Sequence, residues 1–197
     1  VSIQSAEVSV AFNRDVSTMS LALVEPILRA VKDDRVTGLA NTIARLGESG
    51  TFEDPELYLS ACPEHYARRL IWRDPENRFV VVGMTWAPGQ TTPLHDHGGV
   101  WGVEIVVGGT MRETSFRLVD RDPDGRYRFI RAGERMATKG MAGVLCPPHD
   151  YHTFGNAGTT PAYTLHVYGG TMSRCNVFSA ESDGWWRAEN VQLGYDA

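Results

Sequence analysis

No run of 18 apolar residues occurs in this chain, which excludes a membrane-spanning helix as its organising element. Cysteine is scarce. Cys62, Cys146 and Cys175 are scattered, and an odd, widely spaced set suits a reducing cytoplasm better than a disulfide framework. The opening residues, Val1 to Glu7, lack the basic and apolar regions of a secretory leader, in keeping with a cytoplasmic protein. Basic charge is also short. With 19 Lys and Arg against 24 Asp and Glu the net charge is −5, so neither nucleic acid nor an anionic membrane is expected as a partner. A small molecule or another protein remains. There is no βαβ alternation, internal repeat or low-complexity segment, and a parallel sheet is therefore not expected.

The 197 residues, 42% of them hydrophobic, suit one globular domain with a full core. Two regions differ in pattern. Residues 1–62 read as a mainly helical region packed on the body. Leu21, Leu23, Val24, Ile27, Leu28 and Val31 recur at helical spacing after a cap at Asp15 or Ser17. A second helix runs through Leu39, Ile43, Ala44 and Leu46 to Gly47 and Gly50. Residues 63–197 are rich in β-formers. Apolar runs at 69–72, 79–86, 100–107, 110–118, 127–131, 136–139, 143–146, 162–168 and 176–179 are separated by turn residues such as Asp122-Pro123-Asp124-Gly125. Many short strands at near-regular spacing predict an all-β barrel or sandwich. Trp86 and Trp101 read as packing, and Trp185-Trp186 as a seal on the barrel or on an interface.

The most informative stretch is Gly89 to His97, which contains His95-Asp96-His97. Side chains alternate along a strand, so two histidines one residue apart share a face and can ligate one metal ion. Asp96 between them is expected to turn outward. Gly89, His95, His97 and Gly109 resemble the first motif of the cupin barrels, the double-stranded β-helix or jelly-roll fold. Its second motif is matched by Pro147-Pro148-His149-Asp150-Tyr151-His152 with Asn156 four residues on, which implies His152 as third ligand and leaves His149 as a spare candidate. The glutamate that many cupins add is replaced by Gly102. Glu104, two residues further, should face the same side of a regular strand, as a support for the site or a contact for a substrate amine. Three neutral imidazoles suit Fe, Zn, Cu or Ni, so ligand type alone does not choose the metal.

Between about Tyr66 and Phe178 the chain resembles the cysteine dioxygenase family of thiol dioxygenases. Tyr66-Ala67-Arg68 is similar to the segment whose arginine holds the substrate carboxylate. His95-Asp96-His97 and Pro147-Pro148-x-Asp150-Tyr151-His152 match the iron ligands, and Thr164-Leu165-His166-Val167-Tyr168 matches a Ser-x-His-x-Tyr relay. Cys175 also falls where the family often has a cysteine. Gly102 stands where animal members carry the cysteine that cross-links to the active-site tyrosine, so this chain is of the bacterial type without that link.

The resemblance implies an Fe(II) enzyme that uses O2 to oxidise a small thiol carboxylate to its sulfinate. The metal ligands would be His95, His97 and His152. The substrate-binding residues would be Arg68 and Tyr66, and the catalytic residues Tyr168, His166 and Thr164. Arg68 suits the carboxylate because its planar fork binds both oxygens; Arg69 is the competing choice. L-Cysteine is the first expected substrate. 3-Mercaptopropionate and mercaptosuccinate are the alternatives, the latter with added contacts from Arg69 and His149. Another metal-dependent cupin enzyme, or a ligand-binding cupin without turnover, would keep the histidines without needing Arg68 or Tyr168.

Overall fold

The computed structural model describes residues 39, 41–43, 45 and 60–196. Most of the helical region expected over residues 1–62 lies outside them. Leu39, Asn41, Thr42, Ile43 and Arg45 are helical as the periodicity predicts, while residues 60–62 lie in no regular element. Leu39 and Ile43, one helical turn apart, are buried in a cluster with Phe79, Val81, Val103 and Val167.

Among the described residues the fold is all-β. The strands are β1 (Ala67–Arg73), β2 (Phe79–Trp86), β3 (Leu94–His95), β4 (Gly102–Gly108), β5 (Thr110–Arg121) and β6 (Arg126–Thr138), followed by β7 (Ala142–Leu145), β8 (His152–Asn156), β9 (Ala162–Gly169), β10 (Arg174–Ala180) and β11 (Trp186–Gln192). One antiparallel sheet has the order β1-β2-β9-β4-β7. The other, β10-β11-β6-β5-β8-β3, closes through β3 and β10. This is the cupin double-stranded β-helix.

The first sheet carries apolar side chains on both faces. Every residue of β2 is buried. Its odd-numbered members Phe79 and Val81 meet the helical residues. Its even-numbered members Val80, Val82, Met84 and Trp86 line the interior with Met111, Phe154 and Cys175 from the second sheet. Burial on both faces explains why β2, β4 and β9 read as continuous apolar runs rather than as alternating ones. A separate aromatic cluster of Leu94, Phe129 and Phe178 gathers Tyr127, Tyr151 and Trp186 around it. Trp186 thus packs within the second sheet, while Trp185 receives the guanidinium groups of Arg126 and Arg128 on its ring.

The pattern of strands departs from expectation in two ways. The runs at 127–131 and 136–139 belong to one strand, β6. Gly133 between them pairs with Ser115 at a bulge and does not turn the chain. Two strands were not expected, β8 and β11, and the strand expected at the histidine pair, β3, has only two residues. His152–Asn156 is half polar, and Trp186–Gln192 is largely exposed.

Candidate metal centre

His95 and His152 are direct cross-strand partners on β3 and β8. His97 is not on a strand. β3 ends at His95, and His97 sits in the loop that follows, which corrects the expectation of two histidines on one strand face. The loop is built by backbone chemistry. Gly98 and Gly99 have φ of 63° and 84°, a region that glycine enters at low cost. A Cβ on Gly98 would lie 2.5 Å from the Arg174 carbonyl oxygen. Asp96 turns away from the site and pins the loop. Its carboxylate accepts hydrogen bonds from Gly98 N (3.0 Å), Asn176 N (2.8 Å) and Asn176 Nδ2 (2.7 Å).

The three imidazole centroids form a near-equilateral triangle with sides of 5.0, 4.7 and 5.1 Å. Two of the rings have a hydrogen-bond partner at Nδ1, and the third faces a carboxylate without a hydrogen bond. His95 Nδ1 donates to the Pro93 carbonyl at 3.1 Å. His97 Nδ1 donates to Asp150 Oδ2 at 3.1 Å, and the His97 backbone N–H reaches the same oxygen at 3.0 Å. His152 Nδ1 faces Glu113 Oε1 at 3.5 Å. Such partners fix ring orientation and tautomer in metal sites and leave Nε2 free to ligate. His97 Nε2 is buried with no hydrogen-bond partner among the described residues. One ligand atom from each of the three rings falls within 4.8 Å of the others. Burial, and then the neighbouring rings His152 and His97, hold His95 neutral well below the usual histidine range. Burial likewise lowers His152, against the opposing pull of Glu113. An orphaned inward nitrogen and a set of neutral imidazoles are what a divalent cation requires. His149, the spare candidate, is exposed in the preceding turn and does not join the triangle.

His95 and His152 face a cavity of about 90 Å³, room for a ligand of a few heavy atoms. Arg68 and Tyr66 line it from the β1 side, and Tyr168, His166 and Glu104 from the first sheet. Arg68 donates from Nη1 to the Gly194 carbonyl at 2.8 Å and lies 5.3 Å from the centre of the Tyr195 ring. Its backbone N–H donates to Asp196 Oδ2 at 2.7 Å. Arg69, its neighbour on β1, does not line the cavity and donates instead to Ser60 Oγ at 3.2 Å. Tyr66 stacks on Trp86, with ring centroids 4.7 Å apart.

Thr164, His166 and Tyr168 follow the period of β9 into the interior. Trp86 Nε1, which can only donate, gives its hydrogen to Thr164 Oγ1 at 2.9 Å. Thr164 Oγ1 is 2.8 Å from His166 Nε2, and His166 Nδ1 is 2.9 Å from the Tyr168 hydroxyl. Burial, and then Arg68 among the neighbouring charges, keep His166 neutral. One polarity that satisfies every contact runs from Trp86 through Thr164 to Nε2, with the His166 hydrogen on Nδ1 directed at the Tyr168 oxygen. The Tyr168 hydrogen is then free to be donated elsewhere. Burial pushes the Tyr168 phenol up, so it stays protonated. Tyr168 is the direct cross-strand partner of Gly102, and a Cβ there would press within 3.0 Å of its ring.

Four contributors were not singled out in the sequence. Glu113 and Asp150 orient ligands, the Pro93 carbonyl supports His95, and Trp86 is a donor as well as a packing residue. Asp150 had a signal in its spacing of two from His152. Glu113 had one as a carboxylate in phase with buried Met111 on β5. Arg135 pairs with Glu113. Burial raises the Glu113 carboxyl, but the neighbouring His152 and the Arg135 guanidinium outweigh it and hold the pKa at about 2. Glu104 is different. Burial, and then Glu113, push its pKa up to about 8, and neither of its oxygens has a hydrogen-bond partner among the described residues. Cys175 lines the cavity, and burial lifts its thiol to about 11.

Residues 17–181 match the sequence model of the family described as cysteine dioxygenase type I. Similar solved structures are distant in sequence. A Thermus thermophilus protein is 22% identical over 60% of this chain and 95% of its own, with a TM-score of 0.44. A Klebsiella pneumoniae protein with a double-stranded β-helix domain is 18% identical over 58% of this chain and 85% of its own, with a TM-score of 0.43. An oxalate oxidase in complex with glycolate is 21% identical over 55% of this chain and 53% of its own, with a TM-score of 0.41.

Proposed function

This chain belongs to the cysteine dioxygenase type I family, and from that premise we propose that it is an iron(II)-dependent thiol dioxygenase that converts a small thiol carboxylate, L-cysteine first among them, to the sulfinate with O2. The observation that supports this reading is Arg68 on one small cavity with His95 and His152, which group with His97 as candidate ligands. The thiol loses its proton and sulfur gains both atoms of O2: RS⁻ + O2 gives RSO2⁻. His95, His97 and His152 would hold the iron, which when bound would supply thiolate formation at neutral pH and the electronic route for joining O2 to sulfur.

The protein's own part is positioning. Arg68 has one N–H on Gly194 and its face near Tyr195, which leaves the rest of its fork to hold the substrate carboxylate. Tyr168 offers its hydroxyl hydrogen to a substrate oxygen, held in place by His166, Thr164 and Trp86. Tyr66 braces the cavity wall. Met84, Phe154 and Met172 keep water from the reacting sulfur.

The test is oxygen uptake by anaerobically iron-loaded protein given L-cysteine, 3-mercaptopropionate and mercaptosuccinate, with mass spectrometry of the product. Uptake with formation of the sulfinate is expected, and no thiol-dependent uptake with any of the three would sink the reading. Replacing Arg68 with Ala should lower kcat/KM by the loss of charged hydrogen bonds, about 1.5–3 kcal/mol. Arg69→Ala should change it far less. A larger defect in Arg69→Ala would show that the wrong arginine has been assigned to the carboxylate.

A further inference from the structure

Arg68 is 8% exposed, and among the described residues no carboxylate pairs with its guanidinium. Its surroundings come instead from three consecutive residues, Gly194, Tyr195 and Asp196, which follow β11 in no regular element. The Gly194 carbonyl accepts a hydrogen from Nη1 at 2.8 Å, and the Tyr195 ring centre lies 5.3 Å from Cζ. Asp196 holds the main chain. Its N–H donates to the Arg68 carbonyl at 2.7 Å, and its Oδ2 accepts from the Arg68 N–H at 2.7 Å.

Strand order explains why this contact is open to Asp196. β1 is an edge strand, paired only with β2, and Arg68 lies opposite Met84. The N–H and C=O of one strand residue point the same way. Those of Arg68 point away from β2, to the free edge, where Asp196 satisfies both. The segment is itself tied down. Leu193 N–H donates to the Ser173 carbonyl at 2.9 Å, the Tyr195 hydroxyl to the Thr171 carbonyl at 3.3 Å, and Asp196 Oδ1 lies 2.8 Å from His65 Nε2. Burial raises the Asp196 carboxyl, but the bonds from His65 and the Arg68 N–H outweigh it and keep it below the usual carboxylate range. With both oxygens engaged, the carboxylate serves the strand edge and leaves the guanidinium charge for a ligand.

We propose that Asp196 is a positioning residue for Arg68. It does not line the cavity. It pins the strand edge and holds Gly194 and Tyr195 against the guanidinium, and so sets how firmly Arg68 grips a carboxylate. This rests on the assignment of Arg68 to the substrate carboxylate and goes beyond it.

The experiment compares wild type with Asp196→Ala, Asp196→Asn, Tyr195→Ala, Arg68→Ala and the double variant Arg68→Ala/Asp196→Ala. Each is loaded with iron(II) without oxygen and titrated calorimetrically with L-cysteine and with cysteamine, which lacks only the carboxylate. Iron content and thermal melts are recorded for each protein. Wild type should favour L-cysteine. Asp196→Ala should cut that preference about 10-fold while cysteamine binding stays nearly constant, because the fork is loosened and not removed. Asp196→Asn keeps an oxygen for the Arg68 N–H and should lose less. Tyr195→Ala leaves the strand edge intact and should shift the ratio in the same direction, which keeps the test alive if Asp196→Ala does not fold. In the Arg68→Ala background the Asp196 change should have no further effect on the ratio. An unchanged preference in both single variants, equal losses for the two ligands, or a full Asp196 effect without Arg68 would overturn the proposal. The binding arm needs no turnover. Asp196-dependent preference for L-cysteine without sulfinate on admitting O2 keeps the positioning role and removes the dioxygenase. Sulfinate formation with a preference indifferent to Asp196 and Tyr195 does the reverse.

Discussion

At the scale of single residues, the interior is shaped by carboxylates with opposite fates. Glu113 and Asp150 are both held down by neighbours that outweigh burial, and Asp150 anchors His97. Glu104 has no such donors, and its pKa moves from 4.5 up to about 8. The sign of its effect on stability follows. The folded state keeps the Glu104 proton at pH values where the unfolded chain has lost it. Glu104 therefore costs stability increasingly as pH rises from 4.5 toward 8. In metal-free protein, Glu104→Leu should gain on wild type by about 3 kcal/mol between pH 4.5 and pH 7. Urea melts across that range would measure the gain. A gap independent of pH would mean that the carboxyl is not perturbed. Such a cost at one interior residue is the usual mark of a group kept for function rather than stability.

At the scale of elements, the ligands depend on short and irregular pieces. β3 has only two residues, and His97 hangs from a loop held by Asp96 and two left-handed glycines. Replacing Gly98 with Ala would add a Cβ 2.5 Å from the Arg174 carbonyl while φ is 63°. The expected loss of stability is about 1–3 kcal/mol, together with weaker metal binding. Thermal melts and metal content would check both, and a variant with normal iron content would show that the loop tolerates the shift. Much of the site was visible before the fold: the His-x-His pair, the Pro-Pro-x-Asp-x-His run and the period-two spacing of Thr164, His166 and Tyr168 are local patterns. The loop position of His97 was not, because it follows from the hydrogen bond of His97 to Asp150, 53 residues away, and that of Asp96 to Asn176, 80 residues away.

At the scale of the molecule, the metal centre joins the two strands that His95 and His152 occupy to the loop of His97. Its occupancy should therefore stabilise the whole barrel. At a metal concentration about 100 times the dissociation constant, the gain is about 2.7 kcal/mol. Melting with and without iron(II), followed by a chelator, would measure it. Replacing His95, His97 or His152 with Ala should abolish both the gain and the bound iron. A single variant that keeps both would remove that residue from the ligand set. Among the described residues, no helix is long and apolar enough to cross a membrane.

The order of amino acids was enough to establish the all-β class and the interior phase of most strands, and to single out the three histidines that the fold brings together, because these depend on period, composition and short spacing. It left open which arginine enters the cavity, since Arg68 and Arg69 differ only in strand phase. The register of β1 against β2 and the packing of Gly194 to Asp196 on Arg68 decide that. It also could not show that Glu104 would be stranded. A carboxylate on a strand becomes costly only when neighbouring strands remove its water and supply no donor. That condition is set by β9, β7 and β6 closing around β4, and it exists only in the folded molecule.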